Sequence, residues 1–128
     1  MPILRILDVA KAKEFYGDFL GFQIDWEHRF GPDLPLYAQV SREGAVLHLS
    51  EHFGDGTFGA HIRIETPGLA AYQAALLEKK YRHSRPAVRK QEWGELSMAI
   101  ADPFGNVLTF YEALPREARK EKHPRRSI

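Results

Sequence analysis

The sequence predicts one small α+β domain built as two successive β-α-β-β-β modules. Its 128 residues suit a single domain and leave little room for a second. A helix-type apolar spacing occurs twice, each time after a short strand-like run and before further strand-like runs. Turn-forming residues separate these runs from one another.

Ile3–Leu7 is a short apolar run suited to a buried strand. Asp8 follows as a helix N-cap, and Ala12, Phe15, Tyr16, Phe19 and Leu20 recur at three- and four-residue spacing, so a helix is expected up to Gly21 at its C′ position. Residues 22–30, 36–41 and 45–51 are strand-like. Gly31-Pro32-Asp33 breaks the first of these from the second, and Arg42-Glu43-Gly44 turns the second into the third. Residues 53–59, with Gly54, Gly56 and Gly59, read as a flexible connector, either a cover for a cleft or a plain linker between the modules. The order then repeats: a strand over 60–65, Pro67-Gly68 opening a helix that buries Leu69, Tyr72, Leu76 and the stem of Lys80, and an irregular strand or loop over 81–88. Strands over 95–101 and 107–111 follow, joined by Asp102-Pro103-Phe104-Gly105-Asn106. The modules span about residues 1–52 and 59–113 of a domain covering 1–113. The order of elements carries the repeat, rather than identity between the halves.

Hydrophobic residues at 44% and charged residues at 27% describe an ordinary globular chain. The absence of cysteine excludes disulfides, thiolate metal sites and a thiol nucleophile. No apolar run approaches a membrane span, and the N-terminus lacks the regions of a signal peptide, so a cytoplasmic protein with no membrane partner is expected. Charge is unevenly placed. Arg116, Arg119, Lys120, Lys122, Arg125 and Arg126 against Glu117 and Glu121 make residues 114–128 a +4 tail on a −3 body. The tail is expected to be a solvated, disordered terminus and not a nucleic-acid arm. The acidic body suits neutral or cationic ligands better than phosphates. A nucleophile-elbow motif, a phosphate loop and a dinucleotide fingerprint are all absent, and no carboxylate pair is set for acid–base work.

Asp8–Tyr16 running into Phe19-Leu20-Gly21-Phe22, the hairpin Asp102-Pro103-Phe104-Gly105-Asn106-Val107-Leu108, and Gln91-Glu92-Trp93-Gly94 together resemble the glyoxalase/bleomycin-resistance (vicinal-oxygen-chelate) superfamily. The last segment is similar to the bleomycin-resistance branch. The resemblance covers about residues 2–113. It implies two βαβββ modules forming a curved mixed sheet with a concave cleft, and a homodimer with ligand clefts between the chains. For the enzymes it further implies one divalent metal held at four strand positions, which fall here on Met1, His48, His61 and Thr109.

Only His48 and His61 among those four are ordinary metal ligands, and zinc or iron sites want three or four. The preferred reading has no metal cofactor. Strand alternation places both histidines opposite the core: Leu47 and Leu49 flank His48, and Ile62 lies beside His61. The same alternation assigns Arg63 and Glu65 to the face of His61, Ser50 to that of His48, and Thr109 and Tyr111 to the cleft; Tyr37 and Gln39 are candidates to share it, although periodicity over 36–41 leaves their face open. Arg63 and Glu65 could equally form a same-face ion pair. The resemblance gives Trp93 the role of stacking on a heteroaromatic drug, with Phe30, Phe53 or Phe58 as the opposing ring; an edge Trp packed on the core or on a partner chain is the alternative. Two functions follow as expectations. One is a bleomycin-resistance-like protein that sequesters a small-molecule antibiotic. The other is a metal-dependent lyase, isomerase, thiol transferase or dioxygenase of the same superfamily using His48 and His61.

Overall fold

The computed structural model describes residues 2–29, 31–52, 59–81 and 86–115. The elements are β1 (Ile3–Arg5), α1 (Val9–Ala12, continued as wider π-helical turns over Lys13–Phe19), β2 (Gln23–His28), β3 (Tyr37–Arg42) and β4 (Ala45–Ser50). There follow β5 (His61–Glu65), α2 (Leu69–Glu78), β6 (Arg89–Gln91), β7 (Glu95–Ala101) and β8 (Val107–Ala113). The strands make two four-stranded sheets, in the orders β1-β4-β3-β2 and β5-β8-β7-β6. The β-α-β-β-β order therefore occurs twice, as the sequence predicts. In the first sheet β1 runs parallel to β4, and β3 is antiparallel to both β2 and β4.

The described residues group into two compact units. One runs to Ile62 and includes Ala101–Leu108; the other comprises Arg63–Ile100 and the segment from Thr109 onward. In the first unit Asp8 caps α1 through Lys11 N–H to Oδ1 at 2.9 Å, as its position predicts. The helix then departs from regular α geometry. The Leu20 N–H reaches back five residues to the Phe15 carbonyl at 2.9 Å, and the Phe22 N–H reaches the Tyr16 carbonyl at 2.8 Å. This widening, the mark of a π-turn, still buries Phe15, Tyr16, Phe19, Leu20 and Phe22. Gly21 takes φ +82° just past the end, where a residue with a Cβ would be strained. Below the helix Ile6, Val9, Ala12, Tyr16, Val40 and Leu49 line an apolar crevice, with Lys13 and Glu27 also on its wall and paired at 2.8 Å.

The Asp102–Asn106 turn is a hub of this unit. The buried Asp102 carboxylate accepts from the Tyr16 hydroxyl at 2.6 Å, and from the Phe104 N–H, the Asn106 N–H and the Asn106 Nδ2 at 2.8 Å each. Asn106 also donates to the Arg5 carbonyl at 3.0 Å and accepts from the Ala60 N–H at 3.2 Å. A turn that is local in sequence thus ties α1, β1 and the start of β5 to one buried carboxylate.

In the second unit α2 buries Leu69, Tyr72 and Leu76, with Tyr72 edge-on to Phe110 at 5.3 Å. Gly68 stands at the N-cap with no side chain to offer. Glu112 from β8 supplies the cap instead, accepting from the N–H groups of Gly68 at 3.0 Å and Leu69 at 3.3 Å. One expectation needs correction: Lys80 lies past the helix, exposed, at φ 51°. Tyr81 and residues 86–88 carry no regular structure, in line with the loop alternative, and a short polar strand that the sequence did not signal, Arg89–Gln91, follows and takes its pairing from β7. Residues 53–58, 82–85 and 116–128 lie outside the described residues, and with them the cleft-covering role of the connector and the disorder of the tail beyond Pro115.

Candidate functional site

β3 and β4 alternate cleanly. Ala38, Val40, Leu47 and Leu49 are buried on the α1 side, while Tyr37, Gln39 and His48 stand half-buried on the other face. Register brings Gln39 opposite His48 and Tyr37 opposite Ser50. The Tyr37 hydroxyl lies 2.6 Å from His48 Nδ1, and His48 Nε2 lies 3.1 Å from Gln39 Oε1. Gln39 Nε2 donates to Asp25 Oδ2 at 3.0 Å, and the Ser41 hydroxyl donates to Asp25 Oδ1 at 2.9 Å.

Asp25 and its neighbour Trp26 reach the same face because β2 carries a bulge. Ile24 pairs with Val40 and Trp26 with Gln39, so Asp25 is the extra residue. Trp26 is 42% exposed. It stacks near-parallel to Tyr37 at 6.0 Å and stands edge-on to His48 at 5.4 Å. Strict alternation from Ile24 would have sent Trp26 to the α1 side, so its place on this face depends on the bulge and could not be read from β2 alone.

Other expected site residues in this unit do not join the cluster equally. Ser50 is fully buried, and its Oγ accepts from the His52 N–H at 3.1 Å. His61 is exposed at the start of β5. In the second unit Arg63 and Tyr111 come together: the guanidinium carbon sits 4.3 Å above the Tyr111 ring. The alternative of an Arg63–Glu65 ion pair is not what the structure shows. Arg63 Nη2 instead donates to both oxygens of Glu95, at 2.7 and 3.0 Å, and the Glu95 side chain is only 10% exposed. Its hydrogen bond to Glu95 raises the Arg63 pKa further above its ordinary range. Thr109 is half-buried on β8 between the buried Leu108 and Phe110. Trp93 is 63% exposed in a turn closed by the Gly94 N–H to the Gln91 carbonyl at 3.1 Å, with Gly94 at φ +89°. Phe30, Phe53 and Phe58, the candidate opposing rings, lie outside the described residues.

The sequence pattern of the family described as "Glyoxalase superfamily protein" matches residues 1–117. The chain belongs to the glyoxalase superfamily. Within that superfamily its similarity runs to the bleomycin-resistance branch. A bleomycin resistance protein of Geobacillus stearothermophilus is 26% identical over 129 aligned residues, covering 89% of this chain and 96% of the relative. Among solved structures, a bleomycin resistance determinant encoded on transposon Tn5 superposes with TM-score 0.70 at 22% identity, over 88% of this chain and 94% of that one. A bleomycin-binding protein complexed with bleomycin gives TM-score 0.65 at 22% identity, over 88% and 95%.

The metal implied for enzymes of the glyoxalase superfamily does not fit the residues present. Of the implied positions, Met1 offers only a thioether and Thr109 only a hydroxyl, neither a carboxylate nor an imidazole. His48 has both ring nitrogens within hydrogen-bond distance of protein partners, so binding a cation would first require one of these contacts to break. Among the described residues no group of three or more His, Cys, Asp or Glu side chains is gathered to hold an ion.

Proposed function

We propose that this protein binds a small-molecule antibiotic of the bleomycin type and sequesters it without chemistry, as a cytoplasmic homodimer. The observation that carries this reading is the engagement of His48. The residue at a metal-ligand position is instead built into a hydrogen-bonded aromatic face with Tyr37, Gln39 and Trp26. The relatives named for bleomycin resistance point the same way. Such a face, with few placed polar groups among rings, suits recognition of a small molecule. Among the described residues no helix is long and apolar enough to cross a membrane.

Calorimetric titration with metal-free bleomycin tests the reading. Indole fluorescence is a poor readout because Trp26 itself touches Tyr37 and His48. Stacking on an indole contributes about 0.5–1.5 kcal/mol beyond area burial, so Trp93→Ala is expected to weaken binding by about three- to tenfold. Unchanged affinity in that variant removes Trp93 from the site, and no binding by the parent protein removes the antibiotic assignment. Light scattering at micromolar concentration is expected to give a dimer; a strict monomer would contradict that part of the proposal.

Metal content provides a further check. Protein purified without chelator is expected to carry less than one zinc, nickel, manganese or iron per chain after dialysis. One tightly held ion, lost in both His48→Ala and His61→Ala, would instead establish the metalloenzyme reading.

A further inference from the structure

We propose that Asp25 and Gln39 are positioning residues that hold His48 in one tautomer, and that Tyr37 thereby becomes an acceptor for the N–H group of an organic cation lying against Trp26. The proposal rests on the small-molecule reading of this face and deepens it by naming the ligand chemistry.

The inference follows from counting donors along the chain of contacts. The Asp25 carboxylate can only accept, so the Gln39 group 3.0 Å from it is the amide NH2. Gln39 Oε1 is thereby turned toward His48, and an amide oxygen can only accept, so His48 Nε2 carries the proton of the 3.1 Å contact. In the neutral ring Nδ1 is then a bare lone pair, and the Tyr37 hydroxyl 2.6 Å away donates to it. With its proton committed, the Tyr37 oxygen can meet a further hydrogen-bonding partner only as an acceptor.

The surroundings favour a positive partner. Asp25 is held by two neutral donors, the Gln39 amide and the Ser41 hydroxyl, and among the described residues no cation pairs with it. Trp26, 42% exposed, presents its indole beside Tyr37, and an aromatic face attracts a cation. A group that is positively charged and carries N–H donors, a primary ammonium or an amidinium, satisfies all three features. A neutral acceptor, a carboxylate or a phosphate satisfies none.

The lock is read directly from the 15N resonances of the His48 ring at a pH where it is neutral. The expected result is a proton on Nε2 and a bare Nδ1. In Asp25→Ala the Gln39 amide loses the partner that orients it, and the Nδ1–H tautomer is expected to appear alongside the first. A bare Nε2 in the parent, or an unchanged tautomer composition in Asp25→Ala, overturns the lock.

The acceptor role is tested with two probes of equal charge, benzylammonium and benzyltrimethylammonium, titrated against the Trp26 indole N–H resonance. A hydrogen bond to a charged donor supports a preference of about tenfold for benzylammonium. That preference is expected to vanish in Tyr37→Phe while the weaker binding of the trimethylated probe persists. Equal or tighter binding of benzyltrimethylammonium by the parent protein overturns the proposal and leaves an aromatic cage for cations. The bleomycin titration reads Trp93 and total affinity, so its failure and the failure of this proposal are separate results.

Discussion

Asp102→Ala is expected to destabilise the fold by about 3–5 kcal/mol, the sum of several charge-assisted hydrogen bonds lost and buried donors left without partners. Asp102 is 6% exposed, and its carboxylate accepts from Tyr16, Phe104 and Asn106. Asn106 keeps its bonds to Arg5 and Ala60, so the loss stays below a simple sum over the donors. The measurement is the urea midpoint at unchanged m-value. A loss under about 1 kcal/mol would mean that water replaces the carboxylate and that the hub is not what ties the turn down. Tyr16 adds a pH signature to the same experiment. Burial first, and then the Asp102 charge and hydrogen bond, raise its pKa far above the ordinary phenol range. Its contribution is therefore fully present below the unfolded-state value of about 10 and is lost as pH rises beyond it. Tyr16→Phe should lose stability less steeply above that pH than the parent does.

Phe15→Ala should cost about 3–5 kcal/mol as well, the usual range for emptying a buried phenylalanine site. Phe15 is 1% exposed and packs edge-on against Tyr16 at 5.1 Å and against Phe19 at 5.7 Å. The π-widened turn that carries these rings leaves little freedom for collapse around the missing ring, because Tyr16 and Phe19 of the same segment are buried with it. Thermal or urea unfolding measures the effect; a cost below about 1.5 kcal/mol would show that the helix repacks. Trp93→Ala, the variant that tests binding, provides the contrast. An exposed ring outside the core should change stability by no more than about 0.5 kcal/mol.

These expectations explain why the superfamily was legible from the chain alone. The segments that carry the resemblance do structural work within a few residues of themselves. Phe15-Tyr16 and Phe19–Phe22 supply a buried helix face and a glycine at positive φ, and Asp102 and Asn106 fold a turn onto their own side chains. Local work leaves local spacing. β6 left no such trace, since Arg89-Lys90-Gln91 has no apolar alternation and is a strand only because β7 pairs with it. Nor did alternation identify the partner of Arg63. It states which face a side chain occupies, whereas Glu95 lies 32 residues away along the chain.

By itself the sequence determined the α+β class, the repeated β-α-β-β-β order, the Asp8 cap, the apolar residues buried by both helices, and the placing of His48 opposite the core. Each of these follows from propensity and periodicity acting over one or two turns or a single strand. Only the tertiary structure decided which of those polar residues act together. The bulge at Asp25 depends on how β2 meets β3, and it turns both Asp25 and Trp26 onto the face of His48. Register between β3 and β4 then sets His48 between Tyr37 and Gln39, occupying both of its nitrogens. A one-residue difference in pairing reverses every side chain beyond it, and it is a property of two strands together. That is why the histidine's place could be read from its own strand, while its chemistry required the neighbouring ones.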